Sequence, residues 1–410
     1  MKLRCGLLGR RLSHSYSPLI HSELGDYEYL LHEVEPEGLG AFLREGRFDG
    51  LNVTIPYKKD VAAYCAGLSD AARAAGSVNT LTRLPDGTLF GDNTDCFGFA
   101  RLLERVGADP AGAKAVVLGS GGASLAVQAV LRGMGAKEIV VVSRGGPHSY
   151  ADIHKHGDAA LLVNATPVGM YPGNGASPIA DLGAFRQCRA VIDLVYNPAR
   201  TELLSQAEER GMPCENGMAM LVAQAKRSAE AFTGKAIPDE RIDEIIGKIY
   251  LQTLNIVLIG MPGCGKTSVG KALARMAGRG FADTDEWVAR RAGKTPAAII
   301  AEDGEDAFRA LEHEAMAALC KLSGMVIATG GGVVARPENR RVARQNGTVV
   351  FLDRDVAQLP VAGRPISMRD GIGALAAARL PLYKEWCDHA VPSRGVERTA
   401  QSIHRLLLGR

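Results

Sequence analysis

The chain has 410 residues, of which 46% are hydrophobic and 23% are charged. These proportions exclude a disordered, collagen-like or coiled-coil architecture, and at roughly 150 residues per domain the length predicts two or three globular domains. The 48 lysines and arginines nearly balance the 45 aspartates and glutamates, so the net charge of +3 does not favour nucleic-acid binding.

The cysteines and the start of the chain indicate a cellular compartment. None of the eight cysteines belongs to a C-x-x-C pair, so we expect a reduced protein without a zinc site. The opening residues, MKLRCGLLGRR, are too short and too charged for a signal peptide, and no apolar run is long enough for a membrane span. The sequence therefore predicts a cytoplasmic protein that binds small molecules rather than a membrane or a nucleic acid.

Short apolar runs alternate with helical patterns along the chain, which is typical of parallel sheets covered by helices. We therefore predict an α/β fold. A charged helical pattern over Pro238–Thr253 ends where a new apolar run begins, and we expect a short junction between two halves near Tyr250–Leu254. The predicted strands are Ala115–Leu118, Glu138–Val142, Ala160–Val163, Ala190–Leu194, Asn255–Ile259, Met325–Ala328 and Thr348–Leu352.

Four polar clusters lie within the first hundred residues. Each could be an ordinary turn, because Ser, Asn, Asp and Gly favour turns, but four together predict a site for a polyhydroxylated ligand. Lys58 and Asp95 are candidates for an acid–base pair, since a neighbouring carboxylate can orient an ammonium group for proton transfer. The alternative for Lys58 is a solvated surface lysine. The clusters are His14–Pro18, Asn52–Lys58, Gly76–Thr80 and Asp92–Asp95.

A glycine-rich turn follows the apolar run AVVLG. The turn, Gly119 to Ala123, is a variant of the dinucleotide-binding fingerprint, in which glycines let the backbone approach a pyrophosphate. NAD-binding proteins usually end the second strand with a carboxylate, whereas here that strand is followed by Ser143 and Arg144. A guanidinium at this place matches a 2′-phosphate and predicts NADP rather than NAD; an exposed loop cation is the alternative.

In this order, the motifs resemble shikimate dehydrogenase over residues 4–248. Three later motifs extend the resemblance. They are Asn164–Met170, Asp193–Pro198 and Gly217–Gln224.

The resemblance implies a domain organisation and a set of roles. It implies a substrate-binding lobe at 1–100, completed by helices at 217–250, and a Rossmann-like NADP-binding domain at 101–216. It also implies that Lys58 and Asp95 are catalytic. The implied substrate-binding residues are Ser15, Ser17, Thr54, Asn79, Tyr196 and Gln224. The implied NADP-binding residues are Gly119, Ser120, Gly121, Gly122, Ala123, Ser143, Arg144, Leu194, Gly217 and Asp70.

The second half begins with a complete P-loop pattern, G-x-x-x-x-G-K-T, from Gly260 to Thr267. The apolar run NIVLIG precedes it and a helical pattern follows, which is the context that this motif requires. Glycines there let backbone N–H groups surround phosphate oxygens, Lys266 reaches the β- and γ-phosphates, and Thr267 binds magnesium. The predicted nucleotide-binding residues are Gly263, Cys264, Gly265, Lys266, Thr267 and Ser268.

Five further motifs follow the P-loop. Asp283-Thr284-Asp285 could bind magnesium and accept a substrate proton, or could cap a helix. Arg309 and Glu312 share a helical face and could be only a surface ion pair. A ligand could lie against three glycines after a strand, although a sharp turn would also explain them. These motifs are Asp283–Asp285, Phe308–Glu312, Gly330–Gly332, Arg364–Ile366 and Arg379–Tyr383.

With the P-loop, these motifs resemble shikimate kinase over residues 254–405, which implies a P-loop NTPase domain of NMP-kinase type at 254–410 with a short lid near 354–369. The resemblance implies that Asp285 contacts the 3-hydroxyl of shikimate, that Asp283 lies beside magnesium and that Lys266 is catalytic. The shikimate carboxylate would be bound by Arg309 and Arg379, with Gly331 in the same pocket, and ATP phosphates would be contacted by Arg364 from the lid.

The two resemblances share one metabolite, because shikimate is the product of the first reaction and the substrate of the second. They imply a bifunctional enzyme that reduces 3-dehydroshikimate with NADPH and then phosphorylates shikimate with ATP and Mg²⁺. A homo-oligomer is compatible with this interpretation. Two alternatives remain open: an NAD-preferring quinate/shikimate dehydrogenase fused to a kinase, and a shikimate- and nucleotide-binding sensor with one inactive half.

Overall fold

The computed structural model describes residues 2–12, 15–359 and 371–409. Arg364 and most of the predicted lid therefore lie outside the described residues. No helix in the described ranges is long and apolar enough to cross a membrane. The chain divides into two units, the first formed by Met1–Met170, Ala176–Tyr196 and Leu203–Gly247, the second by Tyr171–Gly175, Asn197–Glu202 and Lys248–Arg410.

The first unit contains a six-stranded mixed sheet with the strand order β2-β1-β3-β5-β6-β4. The antiparallel pairs are β3 with β5 and β5 with β6, and the other pairs are parallel. Leu8, Leu51 and Leu81 are fully buried on the three central strands, so the sheet forms around their apolar side chains. The strands are β1 Arg4–Gly9, β2 Glu28–Glu33, β3 Gly50–Val53, β4 Gly67–Leu68, β5 Thr80–Arg83 and β6 Leu89–Asp92.

A second sheet in the same unit has five parallel strands in the order β11-β10-β9-β7-β8. Its central strands are continuous apolar runs, such as Val116 to Leu118, because helices cover both faces of a parallel sheet. The strands are β7 Lys114–Leu118, β8 Glu138–Val142, β9 Leu161–Asn164, β10 Ala190–Asp193 and β11 Cys214–Asn216.

Among the described residues of this part of the chain, eight α-helices accompany the two sheets. Helix α7 packs against the first sheet, because its Ser228 bonds to Asn52 and Thr80 and because Phe232 lies against Gly50. The helices are α1 Ser17–Ser22, α2 Leu39–Glu45, α3 Asp70–Ala75, α4 Thr94–Val106, α5 Gly122–Gly133, α6 Glu202–Glu209, α7 Met218–Thr233 and α8 Glu240–Thr253.

The second unit is built on a five-stranded parallel sheet with the order β13-β14-β12-β15-β16. The strands are β12 Asn255–Ile259, β13 Gly280–Asp283, β14 Met325–Ala328, β15 Gly347–Asp353 and β16 His389–Pro392. The helices are α9 Lys266–Ala277, α10 Thr284–Ala292, α11 Pro296–Glu302, α12 Glu305–Leu319, α13 Glu338–Gln345, α14 Ile372–Trp386 and α15 Val396–Leu407.

The α/β fold and the strands predicted from the sequence are confirmed, with ends that differ by one residue at most. The junction expected near Tyr250–Leu254 stays a prediction; helix α8 continues to Thr253, only Leu254 precedes strand β12, and the division between the two units falls between Gly247 and Lys248. Arg279 donates to the main-chain oxygens of Leu251 and Leu254 and thereby satisfies carbonyls at the end of the helix.

Candidate active sites

The first unit contains a cavity of about 730 Å³ that is lined by both of its sheets and by helix α7. The predicted residues that line it are Ser15, Ser17, Thr54, Lys58, Asn79, Asp95, Ala123, Leu194, Tyr196, Gly217 and Gln224. All six substrate-binding residues predicted for the first half of the chain therefore lie at one cavity, together with the predicted acid–base pair.

Lys58 and Asp95 form an ion pair in this cavity, with 2.5 Å between Nζ and Oδ2. Their side chains are only 15% and 9% exposed, so the alternative of a solvated surface lysine is wrong for Lys58. Asp95 lies in the first turn of helix α4, where the positive end of the helix dipole stabilises a carboxylate. The pair can therefore hold a proton donor at a defined place in the cavity wall.

The glycine-rich turn reaches the same cavity. Gly119 has a φ of 100°, and a Cβ atom there would lie 2.8 Å from the Thr166 side chain and 3.1 Å from the oxygen of Ala165. Gly122 begins helix α5 and lies against the aliphatic part of Lys58. A bare backbone at a helix N-terminus is the arrangement that binds a pyrophosphate, so the residues present fit a dinucleotide.

Three other predicted NADP contacts, Ser143, Arg144 and Asp70, do not line the cavity. Ser143 is buried at the end of strand β8, and Arg144 is exposed beside it. None of the ion pairs found in the described ranges includes Arg144, which leaves its guanidinium available for an anion. Asp70 begins helix α3, where its exposed carboxylate pairs with Arg73, and it does not line the cavity.

Sequence reasoning missed several residues that line this first cavity. Asn52 belongs to a motif that the sequence does reveal, but nothing in the motif distinguishes its inward-facing amide from a turn residue. Met170, Met220 and Leu221 also lie within motifs that the sequence reveals, although no binding role was predicted for them. Arg10, Arg11 and Leu12 lie outside these motifs.

The second unit contains a cavity of about 650 Å³ at the P-loop. The predicted residues that line it are Gly263, Gly265, Lys266, Thr267, Ser268, Asp285, Arg309, Gly331 and Arg379. The residues that sequence reasoning missed include Thr295, Pro296, Ala297, Ile300 and Thr329, whereas Gly332 belongs to the glycine motif that the sequence reveals. Cys264, by contrast, is fully buried and does not line the cavity.

The P-loop joins strand β12 to helix α9 through glycines with positive φ, including Gly263 at 83° and Gly265 at 101°. Thr267 Oγ1 donates to Asp283 Oδ2 over 2.7 Å at the start of the helix. A hydroxyl and a carboxylate are oxygen ligands of the kind that Mg²⁺ prefers, so these residues fit the predicted metal.

The carboxylates of Asp283 and Asp285 differ in their hydrogen bonding. Asp283 is the N-cap of helix α10, since its Oδ1 accepts from the backbone N–H groups of Asp285 and Glu286. Asp285 Oδ1 is buried and has no hydrogen-bond partner among the described residues. Burial, followed by the charges of Asp283 and Glu312, raises the pKa of Asp285 to about 6. Asp283 therefore caps the helix through Oδ1 while its Oδ2 lies at Thr267, and Asp285 is not a cap.

Arg309 and Glu312 form a buried ion pair rather than the surface pair that remained an alternative. The Arg309 guanidinium donates to Glu312 over 2.7 Å and to Glu305 over 3.1 Å. Arg379 donates to the carbonyl oxygen of Gly331 over 3.2 Å. Both guanidiniums are thus held at the cavity wall, where two forks can bind one carboxylate.

Comparisons with known proteins find one enzyme family for the N-terminal part of the chain and another for the C-terminal part. The family model of the shikimate dehydrogenase substrate binding domain matches residues 7–81, and the shikimate kinase model matches residues 262–407. A shikimate dehydrogenase (NADP(+)) of Methanopyrus kandleri is 40% identical over 273 residues, which cover 59% of this chain and 93% of the relative.

Two crystal structures resemble the same part of the chain. One is a shikimate 5-dehydrogenase from Thermus thermophilus in complex with NADP(H) and shikimate, with 32% identity and a TM-score of 0.55 over 60% of this chain and 99% of that one. The other is a chorismate mutase/shikimate 5-dehydrogenase fusion protein from Clostridium acetobutylicum, with 34% identity and a TM-score of 0.57 over 61% and 97%.

We expect Gly332→Ala to destabilise the second unit. A Cβ atom at this position would overlap the guanidinium of Arg309 and force it away from Glu312. Breaking one side of a buried ion pair costs about 3 kcal/mol or more, which urea unfolding should detect. Gly373→Ala is the matched control, because a Cβ atom there meets nothing within 4 Å. Equal stability of the two variants would contradict the expectation.

Proposed function

The chain belongs to the shikimate dehydrogenase family and carries a shikimate kinase domain, and on this premise we propose that its two cavities carry out consecutive steps on one metabolite. NADP(H) is the cofactor of the dehydrogenase activity, and ATP with Mg²⁺ serves the kinase activity. In our proposal, 3-dehydroshikimate is reduced in the first cavity and the resulting shikimate is phosphorylated in the second.

Lys58 is the general acid of the proposed reduction. Its ammonium group donates a proton to the carbonyl oxygen of 3-dehydroshikimate while the carbonyl carbon is reduced, which converts the ketone into the 3-hydroxyl of shikimate. The Asp95 carboxylate, 2.5 Å from Lys58 Nζ, orients the ammonium group. When bound, NADPH supplies the hydride for this step. Substrate hydroxyls and the carboxylate are bound by the polar side chains of Ser15, Ser17, Thr54, Asn79, Tyr196 and Gln224.

Asp285 is the proposed base of the phosphorylation. Its carboxylate lines the cavity, has one oxygen without a hydrogen-bond partner among the described residues, and in this proposal accepts the proton of the 3-hydroxyl. Arg309 and Arg379 bind the carboxylate of shikimate and thereby orient this hydroxyl. Lys266 and the P-loop backbone hold phosphates, and Thr267 with Asp283 would hold Mg²⁺, which neutralises phosphate charge. The contact of Arg364 with ATP stays a prediction, as does assembly into a homo-oligomer.

The observation that supports this proposal best is that each cavity contains a complete reactive set, a paired Lys58–Asp95 in one and Lys266 with Asp285 in the other. The test is a coupled assay on the intact chain with 3-dehydroshikimate, NADPH, ATP and Mg²⁺. We expect NADPH to be consumed and ADP release to require NADPH. ADP release that stays absent even when shikimate is added directly would favour the sensor alternative.

We expect Lys58→Ala to lower the rate of 3-dehydroshikimate reduction by roughly 10²- to 10⁴-fold, because the general acid is removed. Kinase activity of the same chain should persist and shows that the protein is folded. Lys59→Ala is the matched control, since this neighbouring lysine is exposed and outside the cavity. Reduction at near wild-type rate by Lys58→Ala would exclude Lys58 as the acid.

The kinase should lose activity as the pH falls through about 6, because a protonated Asp285 cannot accept the substrate proton. Phosphate groups also titrate near pH 6. A shift of the acidic limb of the kcat profile between variants therefore distinguishes the Asp285 carboxylate from phosphate. The charge of Glu312 contributes to the raised pKa of Asp285, and Glu312→Gln should therefore move the limb of kcat to lower pH. Glu314→Gln, an exposed substitution on the same helix, should leave the limb in place. An identical limb in both variants would exclude Asp285 as its source.

The dehydrogenase should prefer NADPH to NADH through Arg144. We expect Arg144→Ser to lower kcat/KM for NADPH by roughly 10-fold or more, because it removes a charge-assisted hydrogen bond to the 2′-phosphate. NADH lacks this phosphate, so kcat/KM for NADH should be unchanged. Lys155→Ala, which removes an exposed cation from the same region, controls for general electrostatic attraction. A wild-type preference for NADH would favour the quinate/shikimate dehydrogenase alternative.

A further inference from the structure

Three buried hydroxyl groups meet behind the wall of the first cavity. They belong to Thr80 on strand β5, Thr94 at the start of helix α4 and Ser228 on helix α7. Their oxygens lie 2.9 to 3.1 Å from one another, and none of these residues is more than 1% exposed. Water cannot satisfy such hydroxyls, so their protons must go to one another or to neighbouring acceptors.

The main acceptor is the side-chain oxygen of Asn79, a proposed substrate-binding residue. Asn79 Oδ1 accepts from the backbone N–H of Thr94 over 2.7 Å and lies 3.1 Å from the hydroxyls of both Thr80 and Thr94. A backbone N–H can only donate, and an amide oxygen has two lone pairs. These inward donors therefore occupy the oxygen. The amino group of Asn79 donates one N–H to Gln224 Oε1 over 3.4 Å, which leaves its other N–H as the donor that can reach a ligand.

Ser228 connects the same hydroxyl cluster to Gln224. The Ser228 hydroxyl donates to the main-chain oxygen of Gln224 over 2.9 Å and accepts from Asn52 Nδ2 over 2.7 Å. Asn52 Oδ1 in turn accepts from the Tyr29 hydroxyl over 2.8 Å. The cluster is thus tied to the first sheet and to helix α7, and its members cannot turn independently.

We propose that Thr80 and Ser228 are positioning residues that act through Asn79, so that the cavity presents a hydrogen-bond donor to an oxygen of the substrate. This inference rests on the proposed role of Asn79 in substrate binding. Thr80 and Ser228 touch neither substrate nor cofactor in this proposal. They restrict the Asn79 amide to one orientation, which would otherwise have to be selected when the substrate binds.

The test is a double-mutant cycle on the intact chain, with KM for 3-dehydroshikimate as the readout. We expect Thr80→Val to raise this KM by about 5-fold, the value of one hydrogen bond, with little change in kcat or in KM for NADPH. Thr80→Ser, which retains the hydroxyl, should restore the KM. Thr82→Val makes the same substitution two residues along strand β5, outside the hydroxyl cluster, and should leave the KM unchanged.

The second half of the cycle separates positioning from a general loss of stability. Asn79→Ala should raise the KM, and adding Thr80→Val to it should have no further effect, because Thr80 acts through Asn79. Multiplicative effects, or an unchanged KM in Thr80→Val, would overturn the inference while leaving the proposed function intact. An unchanged KM in Asn79→Ala would remove Asn79 from the substrate site. It would overturn both the proposed role of Asn79 in substrate binding and the inference that rests on it. Ser228→Ala replaces Thr80→Val in the cycle if the valine variant does not fold.

Discussion

The nucleotide-binding parts of both active sites depend on one property of parallel sheets: the carboxyl ends of neighbouring strands meet along a single edge. In the second sheet this edge collects the glycine turn after β7 and the polar ends of β9 and β10, where Asn164 donates to Asp193 over 2.8 Å. In the third sheet it collects the P-loop after β12, Asp283 at the end of β13 and the glycines after β14. Residues from distant parts of the chain therefore meet without any local sequence signal between them.

Burial of charge is the second constraint that shapes these sites. Burying an unpaired charge is costly, and most of the buried charges at these two cavities are paired. Lys58 is paired with Asp95, and Arg309 is paired with Glu312 and Glu305. Asp285 is different, because it forms no ion pair among the described residues, and burial together with the charges of Asp283 and Glu312 raises its pKa. Pairing alone therefore does not separate the proposed roles, because the paired Lys58 and the unpaired Asp285 are both proposed to exchange a proton with a substrate.

The fold class and the nature of the two activities could be predicted because their signals are local. Apolar runs of strand length, glycines at fixed offsets and a P-loop between a strand and a helix are patterns within a few residues of one another. The predicted domain boundaries and the roles of individual residues stay predictions, and Arg364 lies outside the described residues. What the local patterns could not reveal is illustrated by Asn52, a motif residue whose amide bonds to Ser228, 176 residues later in the chain.

The amino-acid sequence by itself determined the elements, the phosphate-binding loops and the pair of families, because backbone preference and motif spacing are properties of short segments. Only the tertiary structure decided that the Arg309–Glu312 pair is buried, that Asp283 caps a helix while Asp285 does not, and that the oxygen of Asn79 faces inward. Burial and hydrogen-bond direction depend on atoms supplied by other elements, and these atoms come together only when the sheets and helices have packed.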